Sequence, residues 1–133
     1  MLQIEFVTAK AIRKCLTAEL LSLKYRKMKW PEKYWPTGHC YVASEALYHL
    51  LGGAKAGYKP MRRTLAVTTH WWLQNRYGDL LDPTSDQFEY FDYNKGVGCG
   101  FLTKKPSKRA QIVMKRARKV LENSGNFCSG WWS

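Results

Sequence analysis

The sequence predicts an α+β fold in which one apolar helix packs on a small antiparallel sheet and amphipathic helices flank that core. Three observations carry this expectation. Val42, Ala43, Ala46, Leu47, Leu50 and Leu51 recur at helical spacing behind a Gly38-His39-Cys40 turn and stop at Gly52-Gly53. Over residues 62–75 the chain alternates, with Leu65, Val67, Trp71 and Leu73 on one face and Ala66, Thr68, His70, Trp72 and Gln74 on the other. Ala110, Val113, Met114, Ala117, Val120 and Leu121 then form a stripe along a strongly basic segment.

In chain order, residues 3–7 read as a short strand, and Thr8 as the cap of a helix that runs to about Lys27. Ile12, Leu16, Leu20 and Leu23 are its apolar stripe, with Cys15 beside them as a small core residue. Two prolines forbid regular structure in Trp30-Pro31-Glu32-Lys33-Tyr34-Trp35-Pro36, whose aromatics require burial or a ligand. The Cys40 helix follows, then a flexible segment from Ala54 to Pro60 and the strand at 62–75. Arg76-Tyr77-Gly78-Asp79 is a hairpin turn, and Leu80-Leu81-Asp82 is a second strand stopped by Pro83-Thr84. Gly96-Val97-Gly98-Cys99-Gly100 reads as a glycine-rich loop without the residues of a phosphate-binding fingerprint. Pro106 and Ser107 open the last helix, Asn123-Ser124-Gly125 ends it, and the tail carries Trp131-Trp132.

A chain of 133 residues suits one domain, 1–133, with a core at about 37–90 and flanking helices at about 8–27 and 107–123. With 45% hydrophobic and 14% aromatic residues it is not a disordered chain. No apolar run has the length of a membrane span, and the first residues lack the basic and apolar regions of a signal peptide, so no membrane partner and a cytoplasmic location are expected. Cys15, Cys40, Cys99 and Cys128 form no close pair, so they are expected to be reduced thiols. The pool for a zinc site would be His39, Cys40, His70 and Cys99, and its spacing does not fit one, so no metal and no cofactor are expected.

The chemistry-bearing residues come in the order Cys40, His70, Asp82. A helix N-terminus, with its partial positive charge and unpaired N–H groups, favours the thiolate of Cys40, the reactive form. Neighbouring antiparallel strands bring same-face residues close enough for His70 and Asp82 to hydrogen-bond. Cys40 is then the nucleophile, His70 the base that takes its proton, and Asp82 the group that fixes the imidazole tautomer. The backbone N–H of Cys40 supplies one oxyanion donor. Trp35, His39, Trp72 and Gln74 are candidates for a further donor or for the substrate cleft.

The net charge of +12 suggests attraction to anions. Lys104, Lys105, Lys108, Arg109, Lys115, Arg116, Arg118 and Lys119 gather on and before the last helix, so a non-catalytic module that binds nucleic acid or an acidic protein is the alternative expectation.

The run Thr69-His70-Trp71-Trp72-Leu73-Gln74-Asn75, Gly78, then Leu80-Leu81-Asp82-Pro83-Thr84 resembles the His…Asp hairpin of the transglutaminase-like superfamily, with Cys40 matching its cysteine before a helix. Gly38-His39-Cys40, Leu51-Gly52-Gly53 and the stretch from Asp82 to Phe88 also resemble the small YunG-type proteins. The resemblance covers about residues 37–90. It implies a papain-like core and thiol chemistry on amides or esters of a peptide, isopeptide or amine acceptor.

Overall fold

The computed structural model describes residues 2–17, 39–65, 69–85, 91–101 and 104–123. Among them the protein is α+β, with three α-helices and one four-stranded antiparallel sheet. The helices are α1 (Gln3–Lys14), α2 (Cys40–Leu50) and α3 (Lys108–Asn123). The strands are β1 (Lys59–Thr64), β2 (Thr69–Gln74), β3 (Leu80–Leu81) and β4 (Val97–Gly98), in the spatial order β3-β2-β1-β4. Helix α2 lies on β2 and is held between α1 and α3, which also touch each other.

The chain start is helical, not a strand at 3–7 capped by Thr8. Leu2, Ile4 and Phe6 imitate a strand alternation, but Leu2 and Phe6 are exposed. The residues that face inward are Glu5, Thr8, Ala11 and Ile12, a helical spacing concealed by two polar members. Glu5 secures the helix start by accepting from the Leu2 N–H at 2.9 Å. The same buried carboxylate receives the Tyr58 hydroxyl at 2.8 Å and the Asn75 side-chain amide at 3.2 and 3.3 Å, joining α1 to the sheet. Helix α1 ends at Lys14 rather than near Lys27, while Leu20, Leu23, the loop with Trp35 and the Trp131-Trp132 tail lie outside the described residues.

The single strand expected at 62–75 is two strands. β1 and β2 pair back on each other, with Arg63 opposite His70 and Met61 opposite Trp72. Folding back satisfies the backbone groups of both strands, which one long strand would leave on open edges. β2 is covered on both faces. Trp71 and Leu73 meet α2 and the core, and Ser44 donates to the Trp71 carbonyl at 3.1 Å. His70 and Trp72 lie against Phe91, with Tyr93 also packed on Trp72.

The hairpin after β2 forms as the sequence predicts. Asn75 Oδ1 accepts from the N–H groups of Tyr77 and Asp79, both at 2.9 Å, and Gly78 takes a φ of 85° that a side chain would strain. The glycine-rich segment expected to be a loop instead contributes β4, which pairs Val97 with Arg62 and Gly98 with Met61.

Helix α3 begins with Ser107 as its N-cap, whose hydroxyl oxygen accepts from the Ala110 N–H at 3.2 Å. The buried Glu45 of α2 takes the Ser107 hydroxyl at 2.7 Å and its N–H at 2.9 Å. A carboxylate there also suits the positive end of the helix dipole.

Candidate active site

Cys40 is the first residue of α2, where the helix start leaves backbone N–H groups without intrahelical acceptors. Its thiol donates to the carbonyl oxygen of Thr69, the first residue of β2, at 3.5 Å, and it lies near enough to the His70 ring to help raise that ring's pKa. His70 Nε2 is 2.6 Å from Asp82 Oδ2. Sulfur, imidazole and carboxylate are thereby brought to one region of the fold.

The His70–Asp82 contact is diagonal. β2 and β3 pair Leu73 with Leu81, so the same register would set Asp82 opposite Trp72. Asp82 reaches His70 because the chain turns out of the sheet at Pro83. There its Oδ1 accepts the Thr84 N–H at 3.1 Å and the Thr84 hydroxyl at 3.4 Å. Its Oδ2 accepts the Tyr93 hydroxyl at 2.7 Å as well as the imidazole. Burial, then the charge and hydrogen bond of Asp82, push the Tyr93 phenol up, so it remains a donor. Trp72 stacks beside His70 with ring centres 5.7 Å apart, and Phe91 meets both rings edge-on. These aromatics keep water from competing for the His70–Asp82 bond.

Burial works against charge on His70, but hydrogen bonds to Asp82 and Cys40 and their negative charges outweigh it, raising its pKa from 6.5 to about 9. The ring is thus a ready proton acceptor for the thiol. Because the folded pKa exceeds the unfolded one, this group's contribution to stability is complete below about pH 6.5 and is lost as pH climbs through about 9. The urea midpoint should fall across that window, and His70→Gln should remove this part of the fall. An identical decline in the variant would contradict the linkage. Desolvation instead pushes up the thiols of Cys15 and Cys99, against smaller opposing effects of nearby cations.

The other candidates separate. His39 is buried immediately before Cys40 as the N-cap of α2. Trp72 is fully buried and serves as packing beside His70 rather than as cleft surface. Gln74 stands four residues along β2 from His70, about 13 Å at strand rise, too far to donate to an oxyanion at Cys40. Trp35 lies outside the described residues.

Lys104, Lys105, Lys108, Arg109, Lys115 and Lys119 are exposed, whereas Arg118 is half-buried. Arg116 is also half-buried and binds the Cys15 carbonyl at 3.4 Å and Thr17 Oγ1 at 3.1 Å, so it closes the end of α1. Among the described residues, no three His, Cys, Asp or Glu side chains are grouped to hold a metal ion, and no helix is long and apolar enough to cross a membrane.

Tyr93, Thr84 and Phe91 belong to the site and escape a reading of the sequence. The signal that could have found Thr84 is its place two residues after an aspartate, as the partner in an Asx-turn. Tyr93 and Phe91 had no spacing signal, because they reach Asp82 and His70 from a separate segment. Comparison with protein-family models, curated proteins and solved structures finds no match to this chain.

Proposed function

We propose that this protein is a cysteine-dependent hydrolase or acyl transferase acting on amides or esters, with a core of the papain-like or transglutaminase-like kind. The observation that carries this reading is the 2.6 Å His70–Asp82 bond on a ring that lies beside the Cys40 thiol at the start of α2. Thiol to imidazole to carboxylate at a helix N-terminus is the arrangement nucleophilic thiol catalysis needs.

In this mechanism His70 takes the Cys40 proton and the sulfur attacks the acyl carbon. The C–N or C–O bond breaks, and His70 returns the proton to the departing amine or alcohol. The resulting thioester is cleaved by water in hydrolysis or by an amine in transfer: His70 takes the nucleophile's proton, the C–S bond breaks, and the proton passes to the departing Cys40 sulfur. Asp82, oriented by Thr84 and Tyr93, holds the ring and stabilises its charged form.

Competitive alkylation tests the reactivity this requires. Substoichiometric iodoacetamide at neutral pH, followed by peptide mapping, should label Cys40 well before Cys15 and Cys99, whose thiols are raised by burial. Equal, slow labelling of all three would count against the proposal.

A further inference from the structure

A concave site lies at the opposite end of α2 from Cys40. Cys40 and His49 bracket nine helical steps, about 14 Å of rise, and the cavity opens beside His49. Its volume is about 510 Å³, within the usual range for small-molecule sites. Tyr48, Tyr58 and Phe101 supply aromatic walls, while Lys59 and Lys104 stand on its lining. No Asp or Glu is among the described residues that line it.

The walls are preformed. The Tyr48 hydroxyl oxygen accepts from the Ala54 N–H at 3.1 Å, and its ring meets Phe101 edge-on at 5.3 Å. Phe101 is in turn stacked on Trp71 at 5.6 Å. Lys59 is aligned by Gly98, over which its side chain lies so closely that a Cβ there would come within 2.1 Å of its Cε. Neither Lys59 nor Lys104 has an ion-pair partner among the described residues.

We infer that this cavity binds a small planar carboxylate, its apolar body between the aromatic walls and its charge toward Lys59 and Lys104. Flat walls that are already ordered bind a flat ligand with little loss of side-chain freedom. Two lysines without a lining carboxylate select an anion over its neutral isostere. The site does not depend on the chemistry proposed for Cys40.

The test is an NMR titration of the full chain with 2-naphthoate, with 2-naphthamide as the neutral isostere. Saturable shifts should concentrate at the amides of His49, Cys99, Gly100 and Phe101, and 2-naphthamide should bind at least about fivefold more weakly, the effect of two solvent-exposed charge contacts. The double change Lys59→Gln with Lys104→Gln should bring the two ligands to equal affinity. Gly100→Phe provides an independent arm. Gly100 lines the cavity, an added Cβ there meets nothing within 4 Å, and its φ is not in the left-handed range, so a large side chain can be placed at the cavity wall without moving backbone. That variant should keep its dispersed spectrum and lose naphthoate binding. The inference is overturned if naphthoate gives no saturable shift, if naphthamide binds equally well to the unmodified protein, or if Gly100→Phe binds as before. None of these outcomes bears on alkylation of Cys40.

Discussion

Acylation of Cys40 by an aryl ester should slow about 10²- to 10⁴-fold in His70→Ala, the range a positioned general base supplies. His70 is held by a 2.6 Å bond to Asp82 beside the thiol, so it is the base placed to take the proton. The substitution also opens a gap beside Trp72 and Phe91, and folding must be checked separately by circular dichroism. His70→Gln is the companion variant, because it keeps much of the ring's volume without a base of suitable strength. Loss in both variants with the fold retained identifies a chemical role. An unchanged acylation rate in either would remove His70 from the mechanism.

Trp72→Ala should destabilise the protein by about 3–5 kcal/mol, the usual cost of emptying a fully buried aromatic site. Trp72 is completely buried in the central strand, with His70 stacked on it and Phe91 and Tyr93 against its edges. Gly96 lies so close to the indole that a Cβ there would approach within 2.3 Å, so the segment carrying Tyr93 is moulded to this ring. Removing the indole takes away packing that the sheet cannot recover by a small shift. Urea unfolding followed by tyrosine fluorescence gives the magnitude. A change below about 1 kcal/mol would mean that Trp72 is not the centre of this face.

Much of the site was legible because its parts lie on locally encoded structure. Arg76-Tyr77-Gly78-Asp79 announces the turn between β2 and β3, and that turn brings His70 and Asp82 together. Gly52-Gly53 and the apolar run before them announce α2, which sets Cys40 at a helix start. What escaped depends on contacts between distant segments. The start of the N-terminal helix, before Thr8, is hidden because its inward stripe includes Glu5 and Thr8. Glu5 is acceptable inside only because Tyr58 and Asn75 come from elsewhere to meet it. β1 was merged with β2 because the alternation at 62–75 gives no sign of a reversal within it. β4 is two residues long, and its pairing uses main-chain groups that side-chain patterning does not report.

The central claim is that the Cys40 sulfur, activated by His70, attacks acyl carbon. Intact-protein mass spectrometry after brief exposure to p-nitrophenyl acetate tests it most directly, with peptide mapping to locate the adduct. The account predicts one acetyl group, carried on the Cys40 peptide, absent in Cys40→Ala and removed by hydroxylamine as a thioester is. An unmodified Cys40 peptide, with p-nitrophenol released equally fast by the Cys40→Ala variant, would contradict it.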